Sequence, residues 1–255
     1  MNTTSIPAMD VPEVTAAATG ARVRVWDLPV RVFHWALVAS FGTAYVLSET
    51  ERLRRVHVML GYTVLGLIAF RLVWGFVGTY YARFSSFLFG PGAVLGYLGS
   101  VARGRPQHHL GHNPAGSWAI YAILALGAAT GVTGYLTLNE LGGEGVEDLH
   151  ETLANAWLVV VFVHVAGVIV SSLAHRENLA ASMVTGYKRA AAGASATSSP
   201  SRTAVGVLAA LGVAAFWVGW LLTGGGASAA GAAGQAGGEA ARESAMAVAR
   251  DRDDD

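Results

Sequence analysis

VEDLHETLANAWLVVVFVHVAGVIVSS, residues Val146 to Ser172, is apolar enough over most of its length to cross a bilayer, yet it carries His150 and His164 near its two ends. In an α-helix their spacing is nearly four whole turns, so the two imidazoles differ in direction by about 40° and in height by about 21 Å. One helix then offers two potential ligands on one face, close to opposite sides of a membrane. What they hold depends on which residues the other segments bring to the same two depths.

The composition sets the solvent. Hydrophobic residues make up 53% of the 255 and charged residues only 13%, with a mean hydropathy of +0.44. The charged share is about half that of a soluble domain, which points to lipid rather than water around most of the chain. The formal net charge is zero, so there is no basic footprint for nucleic acid. Cysteine is absent, which removes disulfides, iron–sulfur clusters and thiolate-bound zinc. Any metal has to be held by histidine, carboxylate or oxygen. The first twenty residues contain Asp10 and Glu13 and lack a basic start followed by an apolar run, so no cleavable signal peptide is expected.

Outward from the quoted stretch, four more apolar runs have the length for spans. The first, about Val30 to Ser48, is near the short end, follows Arg22, Arg24 and Arg31, and carries Trp35 and His34 in its opening turns. The second, about Val56 to Gly78, begins at His57 and has Arg71 near its end. Residues 79–113 are too polar to span and mix Phe84, Phe87, Leu95 and Leu98 with arginines, which predicts a loop containing an interfacial amphipathic helix. The third run is Ala115 to Leu138, the fourth is the quoted stretch, and the fifth is Thr203 to Leu222. Residues 1–21 and 223–255 are expected to be disordered, and 190–202 a linker.

With the N-terminus inside, ten basic residues fall on the inner side and six on the outer, which favours that orientation and an outer C-terminus. Helix direction then sorts the histidines by depth. His34 and His164 lie at the inner end, and His57 and His150 at the outer end. Two imidazoles at one depth, without cysteine or paired acids, suit the two axial positions of a six-coordinate haem iron, with Gly and Ala giving room for the flat ring. Arg71 follows His57 by the same spacing that separates His150 from His164, so it reaches the inner pair. There it would either meet a haem propionate or snorkel to the inner headgroups. His108, His109 and His112 lie in the loop before the third span and suggest solvated side chains rather than a zinc site. A competing reading is a transporter whose histidines relay protons or bind metal ions without haem; acids expected of such a relay are missing from the first three spans. A plain membrane anchor is a third.

The motifs VRVWDLPVRVFHW at His34, HVMLGYTVLGLIAFRLVWGFVG from His57, YARFSSFLFGP from Tyr80, GHNPAG at 111–116, and the run from His150 to Arg189 occur in this order. Together they resemble the bacterial cytochrome b561 family, most closely the b-type cytochrome subunits of nickel–iron hydrogenases and related dihaem membrane cytochromes. The resemblance covers about residues 22–189. It implies an all-α membrane protein: a four-helix transmembrane bundle binding two b haems, bis-histidine ligated by His34/His164 and His57/His150. The fifth C-terminal transmembrane helix lies outside that pattern. It further implies an inner-membrane, multi-pass protein that passes electrons between the quinone pool and a periplasmic redox partner such as hydrogenase or cytochrome c. Bond-making chemistry would then be limited to quinone oxidoreduction shared with that partner.

Overall fold

The computed structural model describes residues 13–15, 22–105, 107–190 and 195–223. Its helices are α1 (Leu28–Val46), α2 (Arg54–Val77), α3 (Pro91–Ala102), α4 (Pro114–Leu138), α5 (Gly143–His175), α6 (Leu179–Thr185) and α7 (Thr203–Thr223). Four helical stretches are long and apolar enough to cross a membrane: Glu51–Val77, Pro114–Leu138, Gly143–His175 and Thr203–Thr223. The chain is thus a mostly helical, multi-pass membrane protein. The first expected span, α1, is not among the four, because Arg31 and His34 dilute its apolar run. The amphipathic helix expected within 79–113 is α3.

Helix boundaries follow from local chemistry. Asp27 caps α1, its Oδ1 accepting from the Val30 amide at 2.9 Å, with Pro29 in the first turn. Asn113 caps α4 in the same way, ahead of Pro114. α5 starts after Gly142, at φ 102°, and stops at Arg176, at φ 51°, where the backbone enters the left-handed region. At 33 residues, α5 is about 50 Å long against a hydrocarbon core of about 30 Å. Its acidic first turns therefore stand outside the apolar slab.

An all-α expectation is corrected by two short antiparallel ribbons. β1 (Glu13–Thr15) pairs with β4 (Ser195–Thr197), and β2 (Arg22–Arg24) pairs with β3 (Tyr187–Arg189). Parts of the expected lead and linker are therefore strands, while 1–12, 16–21, 191–194 and the tail from 224 lie outside the described residues. The β2–β3 ribbon ties the chain entering α1 to the chain leaving α6, so both ends of the four-helix unit meet on one side.

α5 packs along α4, α4 against α2, α2 against α1, and α7 against α1. Phe33, Phe41, Val64, Ile68, Leu124 and Trp157 fill the centre of the bundle. At Gly127 a Cβ would come within 2.7 Å of the Trp157 ring and 2.8 Å of Ile68, so the close approach of α4 to its neighbours needs glycine there. Val159, Phe162, Val163, Ile169 and Val170 on α5, and Leu208, Leu211, Leu221 and Leu222 on α7, face outward. Such a continuous apolar exterior is suited to lipid.

Candidate functional site

At one end of the bundle α2 and α5 bring His57 and His150 together. Their ring centroids are 6.3 Å apart, with the ring planes at 77°. Each ring is fixed through Nδ1. His57 Nδ1 lies 2.9 Å from the Ala44 carbonyl, and His150 Nδ1 lies 2.9 Å from the Thr130 carbonyl and 3.3 Å from Thr133 Oγ1. A carbonyl can only accept, so Nδ1 carries the proton on both rings and Nε2 is left with its lone pair free. This is how proteins orient metal-binding histidines. Ala44 is in the last turn of α1, where carbonyls have no helical partner and one can be given to a side chain. On the other wall, a Cβ at Gly134 would lie 2.8 Å from the His150 ring; glycine makes the room for that imidazole.

The opposite end is arranged differently. His34 and His164 lie within electrostatic reach of one another but make no ring–ring contact among the described residues. His34 Nδ1 is buried without a hydrogen-bond partner, and its ring meets Trp35 edge-on at 4.9 Å. Arg71 is only 3% exposed, so it does not snorkel to the headgroups. Its guanidinium lies 4.9 Å from the Phe84 ring centre and 6.0 Å from that of Phe87, and Nη1 is buried and unpartnered. A cation placed this way retains an unused donor aimed into protein.

Of the loop histidines expected to be solvated, His108 is exposed, while His109 is half-buried and His112 is packed inside this end. His112 packs between Trp26, at 4.6 Å, and Phe87, at 4.3 Å, with Nδ1 buried and unpartnered. Burial, and then the neighbouring Arg71, pull its pKa down to about 3. His109 packs on Tyr97 and Phe89, and its carbonyl accepts from the buried Lys188 Nζ at 2.9 Å. His108 meets His175 edge-on at 5.6 Å. Sequence reasoning also passed over Asp27. Its Oδ2 accepts from Trp74 Nε1 at 3.0 Å and Thr79 Oγ1 at 2.7 Å, which ties the start of α1 to the end of α2. The signals were present: Asp27-Leu-Pro is a capping pattern, and His112 immediately precedes the Asn-Pro start of α4.

No group of three or more His, Cys, Asp or Glu suited to a metal ion occurs among the described residues. Paired imidazoles within an apolar bundle suit the donor set of haem iron. Residues 25–186 match the family model described as prokaryotic cytochrome b561. The chain belongs to the prokaryotic cytochrome b561 family.

This cytochrome b561 is 24% identical, over 225 residues, to a probable Ni/Fe-hydrogenase B-type cytochrome subunit of Cupriavidus necator, covering 68% of this chain and 91% of that one. It is 26% identical over 215 residues to proteins of the same description from Azotobacter chroococcum and Azotobacter vinelandii, covering 65% of this chain and 88% of each. No solved structure matches. Membership makes the protein a membrane b-haem electron carrier. The family match spans α1 through α6 and takes in His34, His57, Arg71, His150 and His164, while α7 falls outside it.

Proposed function

We propose that this cytochrome b561 holds two b haems in the bacterial inner membrane, one between His57 and His150 and one between His34 and His164. Through them it passes electrons between the quinone pool and a periplasmic redox partner. The observation that carries this reading is the outer pair: two facing imidazoles, each with Nδ1 committed to a helix carbonyl and Nε2 free. Bound haem supplies the one-electron ferric–ferrous couple; the chain supplies position, ligation and a dry, low-dielectric surround. Arg71 fits as a partner for a propionate of the inner haem, since that carboxylate would satisfy the orphaned Nη1.

In this reading α1 is the first of four spans carrying the haems and α7 is the fifth. The N-terminus is cytoplasmic and the C-terminus periplasmic. Three curated relatives are named as hydrogenase cytochrome subunits, which favours a hydrogenase as the periplasmic partner over a soluble cytochrome c. Quinone would react beside the inner haem, near Arg71, His175 and Arg176.

The deciding experiment is a reduced-minus-oxidised visible spectrum of the purified protein with haem counted per chain. Two b haems per chain are expected. An absence of b-type bands removes the reading, and a single haem per chain removes the pairing.

A further inference from the structure

A large cavity of about 1040 Å³ lies outside the histidine bundle, between α2, the end of α4, and α7. It is distinct from the cleft between His57 and His150. On α2 the residues His57, Val64, Ile68 and Arg71 share one side, and Gly66, which lines the cavity, is about half a turn round from them. Its third wall is a stripe of α7, Ala209, Gly212, Val213, Phe216 and Trp220, which recur with the helical period and so share one helix face. Because α7 lies beyond the family match, this cavity is a feature the family's four-helix unit does not supply.

Its lining is layered. Arg54, Arg55 and Glu140 are exposed at the rim. At the level of Tyr62, whose ring is 5.6 Å from that of Trp220, the Nε1 of Trp220 and the Oγ1 of Thr137 are buried and have no partner among the described residues. Farther along, Gly66, Phe70, Ala209 and Gly212 are apolar, and a Cβ at Gly66 or Gly212 would meet nothing within 4 Å. Neither Trp220 Nε1 nor Thr137 Oγ1 has surface open to the cavity, so what a ligand meets there is the charged rim and the apolar depth. A pair of guanidinium groups at that rim calls for an anion.

A diacyl phospholipid presents the same two chemistries in the same order: a charged head, then hydrocarbon. We propose that this cavity binds one phospholipid, its phosphate at Arg54 and Arg55 and its acyl chains along Gly66 and Gly212. The carboxylate of Glu140 on the same rim favours a zwitterionic phosphoethanolamine head over an anionic one. An isoprenoid quinone would fill the apolar depth, but it carries no charged group to complement the rim of Arg54, Arg55 and Glu140. The lipid would bridge α7 to α2 and α4, filling the gap between the added helix and the haem-binding unit. This inference is independent of the haem reading.

The test is extraction and native mass spectrometry of the full-length protein purified in mild detergent, followed by exchange against vesicles of phosphatidylethanolamine or phosphatidylglycerol. One retained phosphatidylethanolamine per chain is expected. R54Q/R55Q should weaken retention roughly tenfold through loss of the charge-assisted contacts. Gly212→Leu should exclude the lipid by filling open space, and Gly66→Leu does the same from the other wall should the first variant lose its monodisperse elution profile. E140Q should let phosphatidylglycerol compete equally. Unchanged phospholipid in R54Q/R55Q and in the filled variants overturns the proposal, as does recovery of quinone in place of phospholipid from the wild type.

Discussion

The two ends of the bundle treat their histidines in opposite ways. At one end, His57 and His150 are held by the backbone: each Nδ1 is satisfied by a carbonyl, and the ring centroids are 6.3 Å apart. At the other, His34 Nδ1, Arg71 Nη1 and His112 Nδ1 are all buried without partners among the described residues. The first pair is oriented by the protein's own backbone. The second end leaves polar groups unsatisfied, at about 1–3 kcal/mol apiece. Pre-organisation is thus distributed unequally along the bundle.

The largest expected effect comes from breaking each pair. His150→Ala and His34→Ala should each remove one of two haems, seen as half the b-type absorbance per chain. The contrast adds a sharper outcome. Free imidazole should restore the band in His150→Ala, where the Thr130 carbonyl remains to orient it, and restore it poorly in His34→Ala, where no such anchor exists. Equal rescue at both sites would show that the anchoring is unimportant.

Next in size is Asp27, which is 1% exposed and joins the start of α1 to the end of α2. Asp27→Ala removes a helix cap and leaves the Trp74 and Thr79 donors unpaired, a loss of about 3 kcal/mol. A thermal melt in detergent should show it, with inner-haem loss preceding outer-haem loss on heating. Arg71→Gln should be milder. A nearby cation favours the reduced iron, so its removal should lower the inner midpoint potential by on the order of 60 mV, tenfold in a one-electron equilibrium. The outer potential should stay put in the same redox titration.

The last effect concerns acid. His112 is held at about 3, below its ordinary 6.5, chiefly by burial, so the folded protein keeps it neutral while the unfolded chain protonates it. Its contribution to stability is intact above about pH 6.5 and declines as the pH falls toward 3. His112→Phe should flatten that part of the pH–stability curve, measured as the melting temperature between pH 7 and 4.

Much of this was legible in the chain itself because membranes impose strict rules. Spanning length, helical period and the placement of His34, His57, His150 and His164 are properties of a one-dimensional pattern, since a helix in lipid must satisfy its own backbone. The strands were not legible: β2 and β3 are three residues each and stand 163 positions apart in sequence at Arg24 and Tyr187. Nothing in so short a run specifies its partner. His112 was misread for a related reason, as its loop is polar in composition and only the packing of Trp26 and Phe87 buries it.

The sequence by itself determined that this is a multi-pass membrane protein with histidines at two depths, because hydropathy and helical spacing act locally. Tertiary structure alone decided that His57 and His150 are oriented by the carbonyls of Ala44 and Thr130 and that Arg71 is buried with a donor to spare. It also decided that α7 closes a cavity against α2 and α4. Each of these depends on where one helix lies against another, and side-chain packing between distant segments sets that placement.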